Sequence, residues 1–177
     1  FKNEIYKTKI SNIILITHNT FKDNRGEFSR LYCKKIFKKL NFSPVQTNLS
    51  INSKKFTLRG FHYQIGRSSE KKLVTCVKGE IYNVVIDLRK NSKTYGKNVS
   101  FRLSEKKIQT VYVPKGFANA FLTLKDNTVV VYHTNNYYNF EKEKGIRFDD
   151  KFFRIKWPTK PKIISNKDRG YKSYVMG

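Results

Sequence analysis

The chain has 177 residues, of which 38% are hydrophobic and 15% aromatic, and its formal net charge at pH 7 is +24. This content of core-forming side chains excludes a disordered chain, and the length predicts a single domain over residues 1–177. No apolar run reaches the ~20 residues of a membrane span and the visible start lacks a signal-peptide apolar region, so we expect a cytoplasmic protein with no membrane partner.

Segments rich in strand-forming residues follow one another along most of the chain. The first predicted strand covers 10–17, a turn follows at 22–26, and the apolar spacing within 34–40 predicts a short helix. Further strands are predicted at 44–51, 56–64, 72–78, 80–88, 97–103, 108–113, 117–124 and 127–135, with a tight hairpin at Lys78-Gly79. This series predicts an all-β sandwich or barrel, an irregular C-terminal tail over about 159–177, and a ligand site in the barrel mouth.

The positive charge is spread along the chain in pairs of lysines rather than concentrated in one block. These pairs are Lys34-Lys35, Lys38-Lys39, Lys54-Lys55, Lys71-Lys72 and Lys106-Lys107. Nucleic-acid-binding proteins usually cluster their basic residues on one face, so we do not expect nucleic acid as the main partner. The excess charge would still attract a diphosphate ligand.

The most informative segment is 58–64, which reads Leu-Arg-Gly-Phe-His-Tyr-Gln. Side chains alternate faces along a strand, so His62 and Gln64 are predicted to point one way, and Phe61 and Tyr63 the other. Gly60 permits a close backbone approach and predicts a bulge that re-aims Arg59. An arginine for phosphate beside a histidine for proton transfer suggests an active site. A packed, hydrogen-bonded histidine in a structural strand fits this segment equally well.

Further segments accompany this one in a characteristic order. They contain Arg25, Gln46, Asn48, Lys72-Leu73-Val74, Gly79-Glu80-Ile81, Asp87-Leu88-Arg89, the segment 113–121, Tyr132, Trp157-Pro158 and Asp168. Over about 21–168 the ordered set resembles the nucleotide-sugar 3,5-epimerases typified by dTDP-4-dehydrorhamnose 3,5-epimerase. The resemblance implies a cupin-like jelly roll with one or two short helices. It also implies a homodimeric enzyme of polysaccharide precursor synthesis, acting on a nucleotide-diphosphate 4-keto-6-deoxy sugar.

The resemblance implies catalytic roles for His62, Asp168, Tyr132 and Lys72. His62 would remove hydrogen from carbon beside the C4 ketone, since imidazole changes charge near neutral pH. Asp168 would fix its tautomer, Lys72 would stabilise the enolate, and Tyr132 would return a proton on the opposite face. Outside the motif set, Asp168 is simply a solvated carboxylate, Lys72 a surface lysine and Tyr132 a core residue with its hydroxyl at the rim.

The residues implied as substrate contacts are Arg25, Arg59, Gln46, Asn48, Asn119, Phe21 and Tyr138. The two arginines would bind the diphosphate, for which the guanidinium fork is suited. The polar residues of strand 44–51 would contact the nucleotide or sugar, and the two aromatic residues would form walls for the base. Polar turn residues and half-buried aromatics also occur in any β-sandwich. Strands of the family's dimers cross between subunits, so some contacts would come from the partner chain.

The chain departs from the family pattern at two places. Asn119-Ala120 stands where the family usually has His-Gly, and asparagine can hydrogen-bond a sugar hydroxyl but cannot act as acid or base near neutral pH. This change leaves open inversion at C3 alone, and it also resembles relatives acting on GDP-linked 4-keto heptoses. Arg30 stands where the rhamnose enzymes commonly have glutamate, which leaves the nucleotide base open.

We expect no metal and no other cofactor. Metal-binding cupins use a His-x-His pair, a later glutamate and a later histidine, whereas this chain has Gln64 and Asn119 at two of those positions. Cys33 and Cys76 lack motif spacing and are predicted to be buried free thiols, as in a reducing cytoplasm.

Two interpretations from other classes are left open by the sequence. A catalytically silent jelly roll would bind a sugar nucleotide without exchanging substrate hydrogen. A basic nucleic-acid-binding barrel would lose affinity steeply with added salt. The ordered motifs favour the metal-free epimerase acting at C3 and C5.

Overall fold

The computed structural model describes residues 4–10 and 12–174, most of which lie in or between short strands. The strands are β1 Glu4–Lys7, β2 Ile14–Thr17, β3 Thr20–Asp23, β4 Gly26–Ser29, β5 Gln46–Asn52, β6 Thr57–Gln64, β7 Lys72–Lys78, β8 Glu80–Asp87, β9 Asn98–Ser104, β10 Gln109–Val113, β11 Phe117–Thr123, β12 Thr128–Thr134, β13 Glu143–Gly145 and β14 Ile163–Ile164. The helices are α1 Lys34–Phe37 and α2 Asn166–Arg169, with 3-10 turns at Lys38–Leu40, Gly66–Ser68 and Phe140–Lys142.

The strands form two sheets and a separate hairpin. The first sheet has the order β1-β2-β10-β7-β12-β5, and the second has the order β13-β6-β11-β8-β9. Neighbours within each order are antiparallel, whereas β14 adds to β6 in parallel. β3 and β4 form the hairpin. The prediction of an all-β, cupin-like jelly roll is confirmed.

The main core lies between the two sheets. Val74 and Val111 of the first sheet belong to the same buried cluster as Val85, Leu103 and Phe121 of the second. Removing one large aliphatic or aromatic side chain from water stabilises a fold by about 1.5–3 kcal/mol. This cluster therefore holds the sheets face to face and fixes the distance between the walls of any cavity they enclose.

The C-terminal part of the chain covers the outer face of the second sheet. Phe153 is buried in one cluster with Phe61 and Val84, and Trp157 packs against it. β14 then pairs with β6 and leads into α2. The predicted irregular tail over 159–177 was wrong at these two elements, because β14 depends on a pairing with a strand far away in sequence. Residues 175–177 of that prediction lie outside the described residues.

Three smaller predictions need correction. The strand predicted at 10–17 is formed only from Ile14, because the Ile13 N–H donates to the Ile10 carbonyl at 3.3 Å rather than to a neighbouring strand. Ser11 of that prediction lies outside the described residues. The helix predicted at 34–40 is α1 followed by a 3-10 turn. Cys76 is buried, but Cys33 is partly exposed because it lies on the surface just before α1; both are free thiols.

Neither α-helix in the described part of the chain has the length and apolar character needed to cross a bilayer.

Candidate active site

An irregularity in β6 brings Arg59 and His62 to the same side of the strand. His62 pairs with Asn119 of β11 and Arg59 pairs with Phe121, so three steps along β6 match two along β11. Residues three apart on a regular strand point to opposite faces, but one extra residue returns them to the same face. The predicted bulge is therefore present, and all four side chains line one cavity of about 460 Å³.

Gly60 permits the close contact between β6 and β11. Its φ is +110°, and an added Cβ would lie 2.6 Å from the Asn119 carbonyl oxygen. We expect Gly60→Ala to lower the free energy of unfolding by about 2–4 kcal/mol, since overpacking adds to backbone strain. Gly26→Ala is the control, because its φ is +129° but an added Cβ meets no atom within 4 Å. Chemical denaturation measures both losses, and equal losses would contradict a role for close packing.

His62 is held by a carboxylate from the end of the chain. Its Nε2–H donates to Asp168 Oδ1 at 2.6 Å, and the Gly60 N–H donates to Asp168 Oδ2 at 3.0 Å. Ser165 accepts the Asp168 N–H at 3.0 Å, which fixes the first turn of α2. The predicted partnership of His62 with Asp168 is thus a direct hydrogen bond.

The electrostatics of Asp168 favour an ionised carboxylate. Burial alone would raise the pKa of Asp168, but the hydrogen bond and charge of His62, with the Gly60 N–H, hold that pKa below its ordinary value. An ionised Asp168 keeps the His62 proton on Nε2. The lone pair of His62 then lies on Nδ1, which is the atom able to accept a proton.

Two side chains of the first sheet contribute the opposite wall of the cavity. Lys72 begins β7 and Tyr132 lies on the neighbouring β12, and both line the cavity that His62 lines. Burial is the largest cause raising the pKa of Tyr132; the Glu70 carboxylate adds to it and Arg59 opposes it. Tyr132 is therefore protonated at neutral pH and able to donate.

Arg59 and Asn119 border the wider part of the cavity. The Arg59 Nε–H donates to Asn52 Oδ1 at 2.8 Å, which uses one of the five N–H donors of the guanidinium. The Asn119 Nδ2–H donates to the Val84 carbonyl at 3.0 Å. Asn119 is thereby oriented by the sheet, and its amide oxygen is the atom suited to accept from a ligand hydroxyl.

A narrower extension of the cavity contains the other polar residues predicted to contact substrate. On β5, Gln46 Nε2–H donates to Asn48 Oδ1 at 2.9 Å, and Gln46 Oε1 accepts the Tyr138 N–H at 3.1 Å. The Tyr138 hydroxyl donates to Glu143 Oε2 at 2.8 Å. That hydrogen bond is the largest cause raising the pKa of Tyr138 to about 12. Gln46, Asn48 and Tyr138 thus lie beside His62 and Lys72.

Two predicted contacts, Phe21 and Arg25, are not brought to this cavity within one chain. Phe21 lies on β3 and Arg25 in the turn between β3 and β4, and the hairpin pairs with neither large sheet. Arg25 Nη2 lies 2.6 Å from Asp23 Oδ2, and the Arg25 side chain is 85% exposed. Within one chain they line a separate cavity at the hairpin, together with Asp23, Glu27 and Phe28.

Sequence reasoning missed two carboxylates at the site. Glu70 contacts Lys72, and residues two apart in an extended segment share a face, so alternation was the available signal. Glu143 forms an ion pair with Lys167 as well as its bond with Tyr138. Lys167 lies far from Glu143 in sequence, and no local pattern indicates that pair.

A metal site is not formed by the side chains that the structure describes. Within 4–10 and 12–174 no group of three or more His, Cys, Asp or Glu residues is placed to hold a metal ion.

Comparisons with known proteins show the family of this chain. Residues 7–175 match the family model of dTDP-4-dehydrorhamnose 3,5-epimerase. The enzyme of that name from Shigella flexneri is 38% identical over 176 residues, covering 97% of this chain and 96% of that protein. A crystal structure of dTDP-4-dehydrorhamnose 3,5-epimerase from Bacillus anthracis with TDP and PPi bound is 34% identical, with a TM-score of 0.93 and coverages of 98% and 100%. A Legionella pneumophila dTDP-6-deoxy-D-glucose-3,5-epimerase in complex with dTDP-4-keto-L-rhamnose is 32% identical, with a TM-score of 0.91 and coverages of 97% and 93%.

The comparisons identify this jelly roll as a carbohydrate epimerase, an isomerase acting on nucleotide sugars. The similarity extends over nearly the whole chain, and the chain belongs to the dTDP-4-dehydrorhamnose 3,5-epimerase family. The resemblance inferred from the ordered motifs is confirmed.

Proposed function

We propose that this chain inverts C3 and C5 of a dTDP-linked 4-keto-6-deoxy sugar. The observation that carries the proposal is the pairing of a carboxylate-supported imidazole on one wall of the cavity with a partly buried phenol on the other. The relatives that contain TDP or dTDP-4-keto-L-rhamnose support a thymidine nucleotide for this chain as well.

His62 is the base in this proposal. The C4 ketone acidifies the hydrogens on C3 and C5, because the charge left after proton removal spreads onto the ketone oxygen as an enolate. His62 Nδ1 accepts the proton, and Asp168 stabilises the imidazolium that forms. Lys72 places positive charge beside the enolate oxygen, where preorganised electrostatics contribute most.

Tyr132 is the acid that completes each inversion. It returns a proton to the same carbon from the opposite wall, so the new C–H bond lies on the other face of the sugar. His62 has then gained one proton and Tyr132 has lost one, and exchange with solvent restores both before the second carbon reacts. Asn119 cannot supply this proton, because an amide is not an acid near neutral pH.

We infer that the working form is a homodimer. Leu49 and Ile51 on the edge strand β5 are 63% and 64% exposed, and Phe21 and Phe28 on the hairpin are also exposed. An apolar edge strand of this kind is usually covered by another chain. In such a dimer Phe21 and Arg25 would reach the partner's cavity. Sedimentation should give the mass of two chains, and a fully active monomer would contradict the inference.

The domain organisation and the cellular compartment of the proposal are also supported. One domain over 1–177 fits a main core that takes side chains from both sheets. The free thiols of Cys33 and Cys76 fit a reducing cytoplasm.

Proton NMR in heavy water tests the function. With a dTDP-linked 4-keto-6-deoxyhexose we expect deuterium at both C3 and C5, and the GDP-linked sugar serves as the specificity control. Deuterium at C3 alone would overturn the C5 inversion. Tight binding without any exchange would replace the enzyme with a silent sugar-nucleotide-binding protein.

A further inference from the structure

Glu70 is a buried carboxylate at the cavity wall that the mechanism above does not use. Its Oε1 lies 2.9 Å from Lys72 Nζ, and the two side chains are only 8% and 14% exposed. Both residues line the narrower extension of the cavity together with Tyr132. The ion pair therefore belongs to the site rather than to the protein surface.

Gln64 anchors this carboxylate. The two N–H bonds of Gln64 Nε2 are shared among Glu70 Oε2 and the carbonyl oxygens of Ser68 and Tyr137, each of the last two at 3.1 Å. Gln64 Oε1 accepts the Asn139 N–H at 2.6 Å. Because the amide is held from both ends, Glu70 offers Lys72 a fixed partner.

A buried ion pair is a poor means of stabilising a fold, since desolvation of both charges offsets much of their attraction. Such a pair is better explained by what it positions. Lys72 has a long, flexible side chain, and one fixed carboxylate restricts its ammonium to the part of the cavity where the enolate oxygen would form.

Glu70 also contributes to the electrostatics of Tyr132. The titratable and charged groups around that hydroxyl are Glu70, Lys72, Arg59, His62, Glu143, Tyr63 and Tyr138. After burial, Glu70 is the largest cause raising the pKa of Tyr132, while Arg59 lowers it. Removing the charge of Glu70 should lower that pKa, so Tyr132 would lose its proton at a lower pH.

We propose that Glu70 is a positioning residue that holds the Lys72 ammonium against the cavity, and that its negative charge extends the reaction to higher pH. The inference rests on the proposed epimerase function. The position of the Glu70 carboxylate holds Lys72, whereas its charge acts on Tyr132. Two substitutions distinguish these effects.

The test is the pH profile of kcat and KM for wild type, Glu70→Gln and Glu70→Asp. Glu70→Gln keeps the shape but removes the charge, so the alkaline limb of kcat should move to lower pH, with kcat reduced about tenfold and KM changed less than about threefold. Glu70→Asp keeps the charge but withdraws it from Lys72, so kcat should fall by a similar factor while the alkaline limb stays in place.

Glu105→Gln is the matched control, because Glu105 forms an ion pair with Lys125 at 4.0 Å with both side chains 44% exposed. It should leave the rate and both limbs unchanged. If the wild type is active and Glu70→Gln has the same kcat and the same alkaline limb, the inference about Glu70 is wrong while the proposed function stands. Equal losses at all pH values in both Glu70 variants would indicate a purely structural role and overturn it as well. If the wild type exchanges no substrate hydrogen, the proposed function itself is wrong, and the inference about Glu70 fails with it.

Discussion

Replacing His62 by alanine is expected to slow hydrogen exchange at C3 and C5 by about 10²–10⁴-fold, the usual contribution of a positioned general base. His62 is the group whose Nε2–H is held by Asp168, which leaves Nδ1 free to accept the substrate proton. Substrate binding should change much less, because Arg59 and the polar residues of β5 remain. Deuterium uptake by proton NMR measures the loss, and a binding titration with the unreactive nucleotide TDP measures the affinity.

His133→Gln is a suitable control for this experiment. His133 is also half-buried and follows Tyr132 on β12, but its Nδ1 hydrogen-bonds the Thr47 hydroxyl at 2.9 Å and its ring lies against Tyr32. It belongs to the other face of the first sheet, and exchange in His133→Gln should stay within about threefold of wild type. Unchanged exchange in His62→Ala would contradict the assignment of the base.

The strands around the site were predictable because each carries its own local signal. β6, β7 and β12 are rich in β-branched, aromatic and other apolar residues. The turn at Lys78-Gly79 separates β7 from β8, but the prediction of a hairpin there was wrong, because β7 belongs to the first sheet and β8 to the second. The bulge was indicated by Gly60, whose missing side chain is what allows β11 to come close. These features depend on neighbours in sequence, which sequence reasoning can see.

The features that were missed depend on contacts between distant segments. The segment 163–169 is too short to give a periodic signal for β14 or α2, and β14 is formed by its pairing with β6. Asp168 was placed correctly only through the family resemblance, since nothing in its surroundings indicates a bond with a histidine more than a hundred residues away. Within one chain the hairpin with Arg25 lines a cavity of its own, so the predicted contact of Arg25 with the diphosphate stays a prediction.

Substituting Tyr132 by phenylalanine should separate proton removal from inversion. The substitution leaves His62, the base on the second sheet, untouched. His62 can therefore still remove the hydrogen, exchange it with solvent and return a hydrogen to the same face of the sugar. Delivery from the first sheet is lost, so formation of the inverted sugar should fall by about 10²–10³-fold while exchange stays within about tenfold of wild type. The ratio of deuterium uptake to inverted product, followed by NMR in heavy water, measures this separation.

Tyr82→Phe provides the matched control, since the Tyr82 hydroxyl donates to Ser100 Oγ at 2.7 Å and its ring packs against Trp157, away from the cavity. It should leave both exchange and inversion unchanged. If Tyr132→Phe lost exchange and inversion in equal proportion, the phenol would be required before the proton leaves carbon, as a base or an enolate stabiliser would be. The acid would then have to be another group, and the assignment of one catalytic role to each sheet would be wrong. Continued inversion at the wild-type rate would lead to the same conclusion by a different route, because the phenol would then take no part in proton delivery.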